Sequence, residues 1–243
     1  MISFVVPAYN EEFELPETLR SIRSAAEDRQ YEIVVVDDAS SDRTTAVARD
    51  GGAKVVSINR RQIAAARNAG ARAATGDILF FVDADTRINR EHVSGAIDAL
   101  AHGCVGGGAQ IRVEETIPLW ARFGLKFFCF IYFALNLGAG AFLFTTRKNF
   151  EAVGGFDEKL FIGEEVYFSL ALRKLGRFKI LSEPMVTSGR KLRIYSAWQI
   201  LWHSTRVLLL GPRVARSREG LGIWYDGRRE NPSRTGSISI SAP

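Results

Sequence analysis

Asp83 and Asp85 are separated by one residue and directly follow the apolar run 78–82 in a chain of 243 residues. Alternate side chains of an extended strand point to the same side, so the two carboxylates can point the same way. Neighbouring carboxylates repel each other unless a cation lies between or beside them. Their oxygens are hard ligands suited to Mg²⁺ or Mn²⁺, ions that commonly retain substrate phosphates as further ligands. The pair therefore predicts a divalent-metal site; the alternative is that Asp85 or Thr86 only caps the next helix.

Two further polar clusters follow apolar runs in the same way. The first is Pro7-Ala8-Tyr9-Asn10-Glu11, and the second is Asp37-Asp38-Ala39-Ser40-Ser41-Asp42. If the preceding runs are parallel strands, their carboxyl ends meet at one edge of a sheet, where ligands bind in open α/β folds. One shared site explains the three clusters better than three unrelated loops.

The elements that must position these clusters alternate along the first hundred residues. Segments rich in Val, Ile and Phe are typical of strands and lie at 2–6, 32–36, 54–58 and 78–82. Amphipathic stretches at 14–26, 43–50 and 62–74 separate them, and a further helix is predicted near 90–101. This alternation predicts right-handed βαβ units, and therefore a parallel sheet with helices on both faces.

Beyond residue 101 the pattern predicts strands at 105–113, 141–145 and 177–181, and helices at 117–136, 164–175 and 195–210. The segment 127–144 carries no charge, but Asn136 and Gly138-Ala139-Gly140 interrupt it, so we predict that it does not span a membrane. A helix that is buried, or that lies at a membrane surface, fits better. The tail from residue 226 is rich in Ser, Gly, Arg and Pro, a composition typical of disorder.

Five groups of residues, taken in order, resemble the motifs of family 2 glycosyltransferases. They are Val5-Val6-Pro7-Ala8-Tyr9-Asn10-Glu11, Val36-Asp37-Asp38-Ala39-Ser40, Ala65-Ala66-Arg67-Asn68-Ala69-Gly70, Asp83-Ala84-Asp85, and Gly155-Phe156-Asp157-Glu158 with Gly163-Glu164-Glu165. The resemblance covers roughly residues 1–190. It implies the GT-A fold, an α/β fold with a mostly parallel, Rossmann-like sheet and helices on both faces.

The same resemblance implies an activity. The expected reaction is a metal-dependent, inverting transfer of a sugar from a UDP- or GDP-linked donor to an acceptor hydroxyl. The Gln/Arg-x-x-Arg-Trp pattern of processive polysaccharide synthases is absent from the sequence, which favours transfer of a single sugar. A bound Mg²⁺ or Mn²⁺ would neutralise charge on the departing nucleoside diphosphate.

The resemblance also assigns roles to residues at the strand ends. Asp85 corresponds to the main metal ligand of the family, and Asp83 to the aspartate that lies towards the ribose. Asp38 matches the residue that hydrogen-bonds the nucleobase, and Arg67 matches an arginine that faces the nucleotide. The other wall of the nucleotide pocket would comprise Pro7, Ala8, Tyr9 and Glu11, although Tyr9 could equally be a core residue.

The catalytic base is predicted on the helix at 164–175. Inverting transfer needs a carboxylate that takes the proton of the acceptor hydroxyl as its oxygen attacks. Family members usually carry Glu-Asp here, whereas this chain carries Glu164-Glu165. Adjacent helical residues point about 100° apart, so the two side chains cannot both face one substrate. We predict Glu165, which occupies the position of the aspartate, as the base; acidic residues such as Glu164 are common in a first helical turn.

The formal net charge of +5 is modest, but it is unevenly placed. From 184 to 218 there is no acidic residue, which suits phosphates, nucleic acid or an anionic membrane face. Related enzymes place a flexible basic segment where Ser188-Gly189-Arg190-Lys191 lies. We therefore predict that Arg190 and Lys191 pair with the diphosphate and close over the donor; a solvated charge cluster is the alternative.

The predicted organisation has four parts. A nucleotide-sugar-binding half occupies 1–101, an acceptor-side half with the base 102–192, an amphipathic helical region 193–225 and a disordered tail 226–243. No secretory signal is recognisable, because residues 2–6 are typical of a core strand, so we predict a cytoplasmic protein. Its apolar and basic segments would lie on the anionic inner face of the cytoplasmic membrane, near an unknown, lipid-linked acceptor. Alternatively, the apolar surfaces would form the interface of a homodimer and would not contact a membrane.

Two other classes of protein remain as alternatives. A sugar nucleotidyltransferase would carry a Gly-rich, Arg-containing loop after the first strand, and residues 7–12 do not form one. A non-catalytic sugar-nucleotide-binding module would not need Asp83, Asp85 and Glu165. A nucleic-acid-binding protein is excluded, because nucleic acid would explain the basic segment but not the acidic strand ends.

Overall fold

The computed structural model describes residues 1–113 and 140–187, together with Arg216. The predicted helices at 117–136 and 195–210, the predicted disordered tail, and Arg190 and Lys191 all lie outside these residues.

Strands and helices alternate as predicted in the first part of the chain. The order is β1 (Ile2–Ala8), α1 (Leu15–Ala25), β2 (Tyr31–Asp38), α2 (Thr44–Asp50), β3 (Lys54–Ile58), α3 (Ile63–Ala73) and β4 (Ile78–Val82). There follow β5 (Thr86–Arg87), α4 (Arg90–Ala101), β6 (Cys104–Val113), β7 (Phe142–Thr146), α5 (Arg147–Ala152), α6 (Glu164–Leu175) and β8 (Arg177–Thr187). Among the described residues, every predicted element is present within two residues of its predicted bounds, except the last strand.

One mixed sheet of eight strands has the order β3-β2-β1-β4-β7-β6-β8-β5. Strands β1 to β4 are parallel, so their carboxyl ends lie at one edge as predicted. Strand β7 runs antiparallel to both β4 and β6, and β8 is parallel to β6. The sheet is therefore mostly parallel, and β7 and the two-residue edge strand β5 run in the opposite direction.

Helices cover both faces of the sheet, as the alternation predicted. Alternate residues of β1 belong to different hydrophobic clusters: Phe4 and Val6 lie on one face and Val5 on the other. The first cluster contains apolar residues of α1 and α4, and the second contains those of α3, α5 and α6. The sheet is the middle layer between two apolar cores.

The last predicted strand is longer than the sequence pattern indicated. The sequence pattern predicts an end at 181, but β8 continues to Thr187, with Ser182 and Glu183 in front of Pro184 interrupting its pairing to β6. A register shift opposite Ala109 and Gln110 accommodates the interruption, and pairing resumes with Pro184 opposite Gln110. Proline is tolerated at such bulges, and the tertiary pairing with β6 outweighs the local turn signal.

The alternative reading of the acidic pair as a helix cap is wrong. Helix α4 begins at Arg90, and its N-cap is Asn89, whose side chain accepts a hydrogen bond from the His92 amide at 3.2 Å. Thr86 instead lies in β5 and pairs with Thr187. Neither Asp83 nor Asp85 caps α4. Among the described residues, no helix is long and apolar enough to span a membrane.

Candidate active site

The polar clusters that follow β1 and β2 contact each other directly. The amide of Asn10 donates to Ser40 Oγ at 2.9 Å, and the amide of Glu11 donates to Thr44 Oγ1 at 2.8 Å. In return, Asn10 Oδ1 accepts a hydrogen bond from the Ser41 amide at 2.8 Å. The convergence of these two clusters, predicted from the strand order, is thus confirmed.

Asp38 organises the loop that joins β3 to α3. Its buried carboxylate accepts three backbone N–H bonds, from Arg60, Arg61 and Gln62, each at 2.7 Å. Ionised carboxylates accept such bonds strongly, and two oxygens offer about four acceptor positions. Asp38 thus fixes the loop that joins β3 to α3.

Tyr9 follows β1 and is partly buried rather than part of the core. The guanidinium carbon of Arg61 lies 3.3 Å from the centre of its ring. Arginine stacks in this way on aromatic faces through cation–π attraction. Tyr9 therefore forms a platform at the carboxyl edge of the sheet, together with an arginine that the sequence did not single out.

Arg67 is the most deeply buried charged residue of the site, with 1% of its surface exposed. Its Nη2 donates to Asp83 Oδ1 at 2.9 Å and to the Gly140 carbonyl at 2.8 Å, while Nη1 donates to Glu164 Oε1 at 2.8 Å. Burial acts to lower the pKa of Arg67, but the charges of Asp83, Glu164 and Glu165 raise it above its ordinary value. A permanently charged arginine thus connects β4, β7 and α6.

Glu164 and Glu165 have different surroundings, as the helical geometry requires. Glu164 is buried and paired with Arg67, whereas Glu165 is only partly buried. A methyl group added at Gly140 would lie 3.1 Å from Arg67 Nη2 and 3.4 Å from Glu165 Cγ, so these three residues are packed together. Burial, and then the charge of Glu164, raise the pKa of Glu165 to about 8, while the charge of Arg67 acts in the opposite direction.

The acidic pair lies in a tight turn after β4. The amide of Asp83 donates to the Ala141 carbonyl at 3.1 Å, and the amide of Thr86 donates to the Asp83 carbonyl at 3.0 Å. Thr18 of α1 donates to the Ala84 carbonyl at 2.7 Å. The turn is therefore held by neighbouring elements, with the side chain of Asp83 27% exposed and Asp85 partly buried.

The residues of this turn fit a metal that binds together with a substrate. Within the described part of the chain, no group of three or more His, Cys, Asp or Glu side chains could hold a metal ion alone. Mg²⁺ is usually held by one or two carboxylates plus substrate phosphates and water, so a pair of aspartates is enough. Asp85 and Asp83 are the residues that would hold it.

Asn68 joins α3 to the turn that precedes α6. Its side chain pairs with the backbone of Phe156, accepting from the amide at 2.9 Å and donating to the carbonyl at 2.9 Å. It also donates to Glu158 Oε1 at 3.0 Å. The motif that contains Asn68 does not by itself indicate this role, because the partners of Asn68 lie 88 to 90 positions further along the chain.

The sequence and the fold both resemble those of known proteins. The family model described as "Glycosyl transferase family 2" matches residues 3–152. The undecaprenyl-phosphate 4-deoxy-4-formamido-L-arabinose transferase of Pseudomonas aeruginosa is 37% identical over 131 residues, which are 50% of this chain and 38% of that protein. The dolichol-phosphate mannosyltransferase of Pyrococcus furiosus is 36% identical over 107 residues, 42% of this chain and 30% of that protein. The chain thus spans well under half the length of these curated relatives.

Among solved structures, the mannosyltransferase PcManGT of Pyrobaculum calidifontis, crystallised with GDP-Man and Mn²⁺, has a TM-score of 0.68. The sequence identity is 23%, and the match covers 93% of this chain and 68% of that one. At this identity the likeness establishes the fold.

Proposed function

The chain belongs to glycosyl transferase family 2 and has the GT-A fold, and from this premise we propose that it is an inverting glycosyltransferase. It would move one sugar from a nucleotide-diphosphate donor to an acceptor. One observation carries the proposal: Arg67 joins Asp83, after β4, to Glu164, beside the predicted base Glu165. A purely structural protein has no need to bury this arginine among acidic groups at the ligand-binding edge of a parallel sheet.

On the donor side, the nucleotide would extend along the carboxyl ends of β1, β2 and β4. Asp38 would accept an N–H of the base, with Pro7, Ala8, Tyr9 and Glu11 as the other wall, and Asp83 would lie near the ribose. A bound Mg²⁺ or Mn²⁺, held by Asp85 and Asp83, would act as a Lewis acid that stabilises the charge of the leaving diphosphate. Arg190 and Lys191 are proposed to contribute further positive charge.

Arg67 itself is better suited to positioning than to contacting the nucleotide. Its Nη atoms are engaged by Asp83, Glu164 and a backbone carbonyl, and almost none of its surface is exposed. We propose that it sets the distance between the acidic turn and the base helix, so that donor and base are aligned.

On the acceptor side, Glu165 would take the proton when the attacking group is a hydroxyl. The acceptor oxygen forms a bond to the anomeric carbon while the bond from that carbon to the diphosphate oxygen breaks, and the proton moves to the Glu165 carboxylate. Attack opposite the leaving group inverts the configuration.

The names of the relatives suggest the class of acceptor. The two relatives described above, which are among many, are named for a polyprenyl phosphate: undecaprenyl-phosphate in one and dolichol-phosphate in the other. We propose a lipid-linked acceptor of this kind, used by a peripheral enzyme at the inner face of the cytoplasmic membrane. Homodimerisation through the apolar surfaces is the competing proposal.

The decisive experiment is a donor screen that measures release of nucleoside diphosphate from UDP- and GDP-sugars with Mg²⁺ or Mn²⁺, with and without EDTA. Polyprenyl phosphates and detergent-solubilised glycolipids serve as acceptors. We expect turnover with one donor class and loss of turnover with EDTA. Absence of turnover, with nucleotide binding retained, would favour the non-catalytic binding module; release of pyrophosphate from a nucleoside triphosphate and a sugar phosphate would favour the nucleotidyltransferase.

Glu165→Gln then distinguishes two kinds of acceptor. A hydroxyl needs a base, whereas a phosphate monoester, with a second pKa near 6, is largely ionised at neutral pH without one. The variant should bind donor normally yet lose roughly 10²–10⁴-fold in rate with a hydroxyl acceptor. A much smaller loss with a polyprenyl phosphate would show that Glu165 is not required as a base for that acceptor.

A further inference from the structure

We propose that Gln62 is a positioning residue for the proposed base: it holds the segment that leads into α6 and thereby sets where Glu165 lies. The inference rests on the function proposed above, and it gives a role to a residue to which the sequence motifs assign none.

The first observation is that Gln62 does not cap the helix it precedes. It occupies the N-cap position of α3, where a short polar side chain usually accepts a hydrogen bond from the first turn, but the Gln62 side chain makes no such bond. Its backbone is held instead by Asp38, because the Gln62 amide donates to Asp38 Oδ2 at 2.7 Å. The side chain is therefore free to make contacts outside its own helix, from a backbone that is fixed.

The second observation is the pair of carbonyls that this side chain reaches. Gln62 Nε2 donates to the Glu158 carbonyl at 2.5 Å and to the Leu160 carbonyl at 3.1 Å, which lie 96 and 98 positions further along the chain. Gln62 is 5% exposed and Leu160 is 2% exposed. A buried carbonyl that loses its donor is costly, so this one amide ties the segment firmly to the start of α3.

The third observation is how close this segment lies to the proposed base along the chain. The Leu160 amide donates to the Asp157 carbonyl at 3.1 Å, which closes a turn. Only residues 161–163 separate that turn from α6, which begins at Glu164. A displacement of the turn would therefore be passed to the first turn of α6, which carries Glu165.

The contact between Arg67 and Glu164 does not make this hold redundant. Arg67 grips the side chain of Glu164, whereas Glu165 points about 100° away from it around the helix. One side-chain contact leaves the helix able to turn about that contact, and a second hold on the backbone that enters the helix removes this freedom. A catalytic group displaced by about 1 Å can cost roughly 10²-fold in rate, so such a hold matters for transfer.

The test is a double-mutant cycle in the full chain, with Mn²⁺ and the donor and acceptor that the donor screen identifies. Transfer is measured for Gln62→Met, Glu165→Gln and the double variant. Methionine is similar to glutamine in length and lacks its N–H donors. Arg147→Met is the matched control, because Arg147 donates to three backbone carbonyls at or just after the opposite end of α3, at 2.8–3.1 Å.

We expect Gln62→Met to lower kcat about 10–100-fold, while the Kd of UDP or GDP changes by less than about twofold. In the Glu165→Gln background the same substitution should lower the rate by less than about threefold, because no base is left to position. Arg147→Met should cost less than about threefold in either background.

Amide hydrogen exchange measures the hold on the segment without any reaction. Exchange in residues 158–166 should be faster in Gln62→Met than in the unaltered protein, and it should be unchanged there in Arg147→Met.

Four results would overturn the inference alone: an equal loss of rate in both backgrounds, a loss of nucleotide affinity that accounts for the lower rate, unchanged exchange in residues 158–166 of Gln62→Met, or normal transfer by Glu165→Gln, which would leave no base to position. If the unaltered protein turns over no sugar donor, the proposed function fails and the inference fails with it. The two failures are therefore distinguishable.

Discussion

At the scale of single residues, the site depends on the balance between Arg67 and the carboxylates around it. Burial of an ion pair is itself costly, and removal of one partner leaves the other charge without compensation. Asp83 and Glu164 each give one oxygen to Arg67. The arginine is thus a structural requirement of the acidic site as well as its electrostatic centre.

Arg67→Met should destabilise the protein by about 3–5 kcal/mol, because two carboxylates lose their buried countercharge. Urea unfolding followed by circular dichroism measures this free energy. The matched control is Arg72→Met on the same helix. That side chain is 67% exposed, and its ion pair with Glu158 is long, with 4.0 Å between Arg72 Nη1 and Glu158 Oε1. It should change stability by less than about 0.5 kcal/mol. Equal effects of the two substitutions would contradict the role assigned to Arg67.

Glu165 should impose a pH dependence on transfer to a hydroxyl. Its pKa is raised to about 8, first by burial and then by the charge of Glu164. A base acts only when deprotonated, so kcat/KM should rise about tenfold per pH unit below this pKa and level off above it. Initial rates from pH 6 to 9 at constant ionic strength measure the profile. The residual rate of Glu165→Gln should be flat; a profile in that variant with the same midpoint would assign the titration to another group.

At the scale of elements, the turn between α5 and α6 fixes where α6, the helix of the predicted base, begins. Gly154, Gly155 and Gly163 all have φ values near +75°. The side chain of Asn68 clamps the backbone of Phe156 in the same turn. The start of α6, and with it Glu165, is therefore tied to α3, the helix that carries Arg67.

Gly154→Ala and Gly155→Ala form a matched pair that tests this turn. Both glycines have left-handed φ values, so each substitution should lower the free energy of unfolding by about 1 kcal/mol through backbone strain. A methyl group at Gly154 would meet nothing within 4 Å, whereas one at Gly155 would lie 2.7 Å from Asn68 Oδ1 and 2.9 Å from Phe150 Cζ. Gly155→Ala should therefore lower the free energy of unfolding, measured in urea, by about a further 1–3 kcal/mol, because the added methyl group overpacks the turn. It should also lower activity more than Gly154→Ala; indistinguishable variants would show that the turn is not tightly packed.

At the scale of the whole molecule, a single eight-stranded sheet runs from the predicted nucleotide-binding part to the predicted acceptor part. The division at residue 101 stays a prediction, and Arg67 couples the two parts through Asp83 and Glu164. The basic stretch at 184–218 and the apolar segment at 127–144 lie mostly or wholly outside the described residues, so their proposed contact with a membrane must be tested directly.

The full chain should float with vesicles of anionic lipid at low salt and be released as salt increases, because surface charge attraction is screened within about 10 Å at 0.1 M salt. Sucrose-gradient flotation measures the bound fraction, and vesicles of zwitterionic phosphatidylcholine are the control. Equal binding to both lipids would indicate apolar insertion alone. No binding to anionic vesicles at low salt, with a dimer found by light scattering, would favour the homodimer.

The sequence by itself determined the elements and the edge of the sheet where the site lies. Apolar periodicity is a local property, and parallel strands must bring their carboxyl ends together, so Asp38, Tyr9 and the acidic pair could be predicted at one edge. The order of the motifs along the chain is enough to predict the family.

Only the tertiary structure decided which groups meet. Arg67 donates hydrogen bonds to Asp83 and Glu164, which lie 16 and 97 positions further along the chain. No local sequence pattern specifies partners at such distances. The same holds for the extension of β8, which depends on pairing with β6, and for the stacking of Arg61 on Tyr9, which depends on the carboxylate of Asp38. These contacts depend on packing between elements distant in sequence, and their energy overrides local preference in the folded chain.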